Sequence, residues 1–149
     1  DWVLEPGYPV DVAEIRPGTP LPLGDGVALE ACKTPHTPES QAYAVRDRSA
    51  RLVYTGDTGP SDELAQWARD CDLLLAECSL PDSEAIEIHL TPTSAGGLAR
   101  AAGARRLVLT HFYPPIEGTD PAAVAARVFR GPVTAARDGD RFVVGDTAC

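Results

Sequence analysis

The chain is 149 residues long, 44% hydrophobic and 23% charged, enough for one globular domain with a sizeable core. Thirteen basic residues against 22 acidic ones set the net charge at −9, which excludes the basic footprint that captures nucleic acid by releasing counterions. No apolar run reaches the roughly 20 residues of a membrane span and no signal peptide opens the chain, so no membrane partner is expected.

The four cysteines, Cys32, Cys71, Cys78 and Cys149, form no CxxC pair. Reduced thiols in a cytoplasmic protein are the expectation. The chain starts at Asp1 and contains no methionine, and the expectation is a processed or truncated product rather than a complete reading frame.

In chain order, the first 30 residues are rich in proline and glycine, with a short alternating piece at Asp11–Ile15. Val27–Lys33 alternates and predicts a strand. Gln41–Arg46 and Arg51–Thr55 predict two more, with the charged turn Asp47-Arg48 between them. Ser61 is a good N-cap for a helix running to Ala68, with Asp62 and Glu63 in the first turn, where the helix dipole favours acids. Asp72–Glu77 is nearly continuous in apolar residues, as befits a strand buried on both faces. Thr91 can cap a second helix, Pro92 fits its first position, and Gly103 can end it. Arg105–Thr110 predicts the next buried strand. A third helix opens at Asp120-Pro121, runs to Phe129 and closes at Gly131-Pro132. Val133–Ala136 and Arg141–Val144 predict a hairpin turning at Asp138-Gly139. Strands alternating with helices argue for an α/β fold, helices packed on a sheet, in one domain over residues 1–149.

Polar residues of one chemical kind gather where these strands end. All three histidines sit there: His36 between Pro35 and Pro38, His89 before Leu90-Thr91, and His111 after Leu109-Thr110. Asp57 ends Tyr54-Thr55-Gly56, and Glu77 ends Leu73-Leu74-Leu75-Ala76. Each has an ordinary reading alone: a surface loop histidine, a turn-forming aspartate, a helix-flanking histidine. An acid closing so apolar a strand is drawn into partly buried surroundings and needs a partner. Together, imidazoles and carboxylates are the ligand set of hydrolytic zinc sites. In a two-metal arrangement Asp57 could bridge the ions, with His36 and His111 as terminal ligands. His89 could then give a proton to the leaving group, with Glu77 orienting its ring.

The segments Thr34-Pro35-His36-Thr37-Pro38-Glu39-Ser40-Gln41-Ala42-Tyr43, Leu52-Val53-Tyr54-Thr55-Gly56-Asp57-Thr58, Leu73–Ser79, His89-Leu90-Thr91 and Ala102–His111 resemble, in order, the metallo-β-lactamase superfamily. The ribonuclease Z-like branch of metal-dependent hydrolases is the nearest likeness, extending over residues 9–144. The resemblance implies part of a four-layered αββα fold with the site at the sheet edges. It implies metal at His36, Asp57 and His111, and catalysis by His89 with Glu77. It also implies two divalent ions, zinc or else manganese, and a homodimer.

Three departures limit the likeness. The superfamily's His-x-His-x-Asp-His run is absent, so the metal site is expected to be incomplete and the chain to be a C-terminal portion. Ala76-Glu77-Cys78-Ser79 keeps only the acid of the family's His-Glu-Ala-Thr loop, and the long tRNA-binding arm before Asp57 is missing. A small phosphodiester or related ester is therefore the expected substrate, ahead of tRNA. The alternatives are another ester hydrolase of the superfamily, of aryl sulfatase or lactonase type, and a catalytically incompetent structural or interaction module.

Overall fold

In the computed structural model, residues 7–10 and 14–145 are described. Seven strands form a single sheet whose spatial order follows the chain: β1 (Leu21–Gly24), β2 (Val27–Lys33), β3 (Gln41–Arg46), β4 (Arg51–Tyr54), β5 (Leu73–Glu77), β6 (Leu107–Thr110) and β7 (Val133–Ala135). The first four strands meander antiparallel, and β4 to β7 run parallel. Helices α1 (Asp62–Trp67), α2 (Pro92–Ala102) and α3 (Pro121–Phe129) make the three parallel crossovers. Crossovers of one hand advancing in one direction stack their helices on the same face of the sheet.

The core shows which face that is. Ala44, Val53, Leu74 and Leu107 are register partners across β3 to β6, as are Ala76 and Leu109. All are buried with Leu64 and Ala65 of α1, Ala95, Leu98, Ala99 and Ala102 of α2, and Ala125 and Phe129 of α3. Alanine dominates the helical side, which lets α2 approach α3 closely. At Gly96 an added Cβ would lie 2.6 Å from the Ala125 carbonyl oxygen.

The opposite face carries Leu29, Val45, Leu52 and Leu73 in one row, then Ala31, Tyr43, Tyr54, Leu75 and Val108 in the next. Val45 is 37% exposed and Tyr54 38%. Among the described residues there is thus one sheet with one helical layer, which is half of a four-layered αββα arrangement.

Local signals behave as their chemistry dictates. Ser61 Oγ accepts from Leu64 N, Thr91 and Ser94 form a reciprocal capping box, and Gly103 closes α2 in the left-handed conformation. Helix α3 ends at Phe129 as expected, but Arg130 rather than Gly131 adopts the left-handed cap (φ 65°).

Several expectations need correction. The proline-rich start contains a strand, β1, whose Pro22 is tolerated because it lies at the sheet's edge. Arg141–Val144 is not a strand. Asp138-Gly139 does turn the chain, with Asp140 N donating to Arg137 O, but the segment then crosses the open face instead of pairing with β7. Arg106 lies over the Phe142 ring at 4.9 Å, and Val144 joins Val27, Val45 and Leu52. Covering apolar surface outweighs an edge ladder there. The strand expected to begin at Arg105 begins at Leu107, and that expected to end at Thr55 ends at Tyr54. Of the alternating piece at 11–15, residues 11–13 lie outside the described residues, and Glu14-Ile15 form no strand.

Cys32, Cys71 and Cys78 are buried free thiols, and Cys149 lies outside the described residues. No helix among the described residues is long and apolar enough to cross a membrane.

Candidate active site

Because β3 runs against both its neighbours, β2 points the same way as β4, β5 and β6. The C-terminal ends of these four strands therefore share one edge, and each carries one or more candidate residues. His36 follows β2, Asp57 follows β4, Glu77 ends β5 and His111 follows β6; His89 returns to the same edge just before α2. In open α/β sheets this edge is where ligands bind.

Glu77 and His89 form the buried part. Glu77 is fully buried and His89 is 6% exposed. Four donors converge on the Glu77 carboxylate: Thr58 N at 2.7 Å and His89 Nδ1 at 2.8 Å on Oε1, Ser79 Oγ at 2.6 Å and Leu90 N at 3.2 Å on Oε2. Donors alone surround it, which suits an ionised acceptor and offsets the cost of burying its charge. A carboxylate can only accept, so His89 Nδ1 carries a proton and Nε2 is left for the site.

The loops are built to hold this pair. Gly56 (φ 56°) turns the chain out of β4 where a Cβ would lie 2.7 Å from the Gln41 carbonyl oxygen. Three residues on, Gly59 passes so close to the Glu87 carbonyl oxygen that any Cβ would overlap it. The segment leading into His89 is thereby clamped against the Asp57 loop. From the other side Asp82 anchors that segment to α2, accepting from Thr93 N at 3.1 Å and Thr93 Oγ1 at 2.6 Å. Burial raises the Asp82 carboxyl, and hydrogen bonds from Thr91 and Thr93 outweigh it, leaving the group below its ordinary range.

The more open part is made of half-buried His36 and Asp57 and exposed His111. Lys33 Nζ donates to the Pro38 carbonyl across the His36 loop, and His36 Nδ1 lies 3.2 Å from Ser40 Oγ. Thr34 Oγ1 donates to the Asp57 carbonyl and Gly59 N to the Pro35 carbonyl, so the His36 and Asp57 loops are stitched together. His111 has φ 58°, a conformation uncommon outside glycine, and its Nε2 lies 3.4 Å from Asp57 Oδ1. Strain of this kind persists where the surroundings over-determine it, as they do at functional sites. The rings of His36 and His111 lie 4.9 and 6.0 Å from that of His89.

All five expected residues are therefore brought to one edge, and the Glu77–His89 pair is directly bonded. Asp57 and His111 fit a metal as a partial donor set. Ligand atoms bonded at about 2.0–2.1 Å in a tetrahedral site lie about 3.3–3.4 Å apart, the spacing that Asp57 and His111 show. Among the described residues, however, no group of three or more His, Cys, Asp or Glu side chains closes around an ion position.

Sequence reasoning missed Ser79 and Tyr113. Ser79 Oγ donates to Glu77 and lies 3.3 Å from His89 Nδ1. Tyr113 places its hydroxyl 3.5 Å from His89 Nε2, and its ring meets those of His89 and His111 edge-on at 5.4 and 5.2 Å. Its position two residues beyond His111 was the available signal. Tyr54 also senses the site: burial raises its phenol, and the charges of Asp57 and Glu77 add to the effect.

Comparison with known proteins places this geometry among relatives. A family model described as "Beta-lactamase superfamily domain" matches residues 3–112. Ribonuclease Z of Myxococcus xanthus is 39% identical over 133 residues, which are 85% of this chain and 40% of that protein. A probable metallo-hydrolase, YhfI of Bacillus subtilis, is 33% identical over 127 residues, covering 83% and 51%. The crystal structure of that metallo-β-lactamase fold protein superposes with a TM-score of 0.79 at 30% identity, over 85% of this chain and 53% of that one. The short form of human tRNase Z superposes with a TM-score of 0.63 at 25% identity, over 87% and 46%. The chain spans about half the length of the relatives it matches.

Proposed function

This chain belongs to the metallo-β-lactamase superfamily, and from that premise we propose that it serves hydrolysis of a small phosphodiester or related ester. The observation that carries the proposal is the His89–Glu77 pair, with Nδ1 held 2.8 Å from a buried carboxylate and Nε2 turned to the edge shared by His36 and His111. His89 Nε2 would pass a proton to the leaving-group oxygen as its bond to phosphorus breaks. Glu77 would hold Nδ1–H and stabilise the imidazolium form of the ring, whose Nε2–H is the proton passed on. Ser79 and the backbone N–H groups of Thr58 and Leu90 hold Glu77 in place.

His36, Asp57 and His111 would hold divalent metal, two zinc ions or else manganese. Metal there would supply Lewis acidity and bring water toward ionisation at neutral pH. Relatives named ribonuclease Z and probable metallo-hydrolase support a metal-dependent hydrolase of the ester class. The acidic chain and the short His36–Asp57 connection favour a small substrate over tRNA.

Turnover of bis(p-nitrophenyl) phosphate by the full chain with added zinc or manganese tests the proposal. His89→Ala should keep its metal and lose rate by about 10²–10⁴-fold. Faster turnover of an aryl sulfate or a lactone would move the substrate class, and parallel loss of metal and rate in His89→Ala would remove the proton-donor role. A second reading, a catalytically incompetent interaction module, is favoured by the lack of a closed three-donor cluster among the described residues. Metal content separates the two: about two equivalents per chain support autonomous catalysis, and less than about half an equivalent supports the module.

A further inference from the structure

Tyr113 is built into the edge without a task in the reaction so far described. Its backbone N–H donates to the Ser79 carbonyl at 3.0 Å, and the turn Pro114–Ile116 follows at once, so the residue is pinned on both sides. Its ring is wedged edge-on against His89 and His111, yet 37% of the residue stays exposed. Its hydroxyl faces His89 Nε2 at 3.5 Å, too long for a strong bond and short enough for one oxygen to reach both groups at about 2.8 Å. A tyrosine with only a packing role would not need its polar end turned toward the free nitrogen of the site.

We propose that Tyr113 is a substrate-contacting residue whose hydroxyl, with His89 Nε2, forms a two-point cradle for one oxygen of a phosphate ester. The proposal rests on the ester-hydrolase reading for the identity of that oxygen. In the cradle the tyrosine O–H donates to the same oxygen that His89 faces, so the pair selects esters whose leaving oxygen carries charge. A half-exposed aromatic ring beside it favours a compact ester with a flat or apolar group.

The test titrates inorganic phosphate into the full chain and into Tyr113→Phe, which keeps the ring and removes the oxygen. Binding is followed through the imidazole nitrogens of His89 and the ring carbons of Tyr113 by NMR. Wild type should respond at both residues, and Tyr113→Phe should bind about tenfold more weakly, the loss of one hydrogen bond to a charged oxygen. The His89 Nδ1–H signal should persist in the variant, showing that the Glu77 bond is intact. Equal phosphate affinity in Tyr113→Phe overturns the cradle, as does a wild-type titration that leaves Tyr113 unmoved, whatever the variant's stability. Failure of the wild type to turn over any phosphodiester, with the phosphate response at both residues intact, overturns the hydrolase reading and leaves the cradle standing.

Discussion

At the scale of single residues, Glu77 holds the most demanding position, with a buried carboxylate meeting four donors. Glu77→Gln turns one acceptor oxygen into an N–H₂ group facing a donor. It should cost about 1–3 kcal/mol in urea unfolding and release the His89 ring from its single orientation. An unfolding midpoint equal to that of the wild type would show that the carboxylate is not needed as an acceptor. The thiols make a second residue-level prediction. Burial, opposed by the charge of Arg51, pushes Cys71 from its ordinary 9.0 up to about 11, and burial with the charges of Glu77 and Asp82 pushes Cys78 to about 12. The unfolded thiols lose protons first, so their contribution to stability is intact below pH 9 and falls away between pH 9 and about 12. Unfolding curves for Cys71→Ala/Cys78→Ala should fall less steeply across that window than those of the wild type.

At the scale of elements, two adjacent glycines in α2 should respond oppositely to the same substitution. Gly96 faces the Ala125 backbone, which an added Cβ would meet at 2.6 Å, whereas Gly97 has nothing within 4 Å. Gly96→Ala should force α2 and α3 apart and cost about 1–3 kcal/mol. Gly97→Ala should add about 0.5–1 kcal/mol by removing backbone freedom from the unfolded chain. Thermal unfolding of the two variants decides it, and equal shifts would mean that α2 does not cross α3 at Gly96. The helices were legible in the sequence because Ser61, Thr91-Pro92, Asp120-Pro121 and Gly103 mark their ends by local chemistry. The last strand was misread because Asp138-Gly139 encodes a turn but not the direction of the chain beyond it. That direction depends on apolar residues of β2, β3 and β4, which lie about a hundred residues earlier.

At the scale of the whole molecule, charge and topology act together. A net charge of −9 repels a polyanion, so precursor tRNA should show no retained complex in a mobility-shift assay at about 150 mM salt. A dissociation constant below about 1 μM would overturn the small-substrate preference. Topology places the candidate groups on one edge because β2, β4, β5 and β6 point the same way. The same arrangement leaves the face of Val45 and Tyr54 partly open opposite the helices. Burial of Leu73 and Val108 on that face, beside half-exposed Val45 and Tyr54, shows that its cover is uneven among the described residues.

The sequence by itself determined the residue types available for chemistry, the strands and helices that carry them and the capped helix ends. These depend on side chains near one another along the chain. It also pointed to Glu77 as an acid in need of a partner, because four apolar residues before it draw it inward. His89 was its expected partner, and only the tertiary structure decided that the bond runs through Nδ1, that Ser79 and two backbone N–H groups share the carboxylate, and that Tyr113 stands over Nε2. It also decided that Asp57 meets His111 while no third donor closes around them among the described residues. Those relations depend on strand register and on close backbone passages at Gly56 and Gly59, and neither is written in the spacing of the residues they bring together.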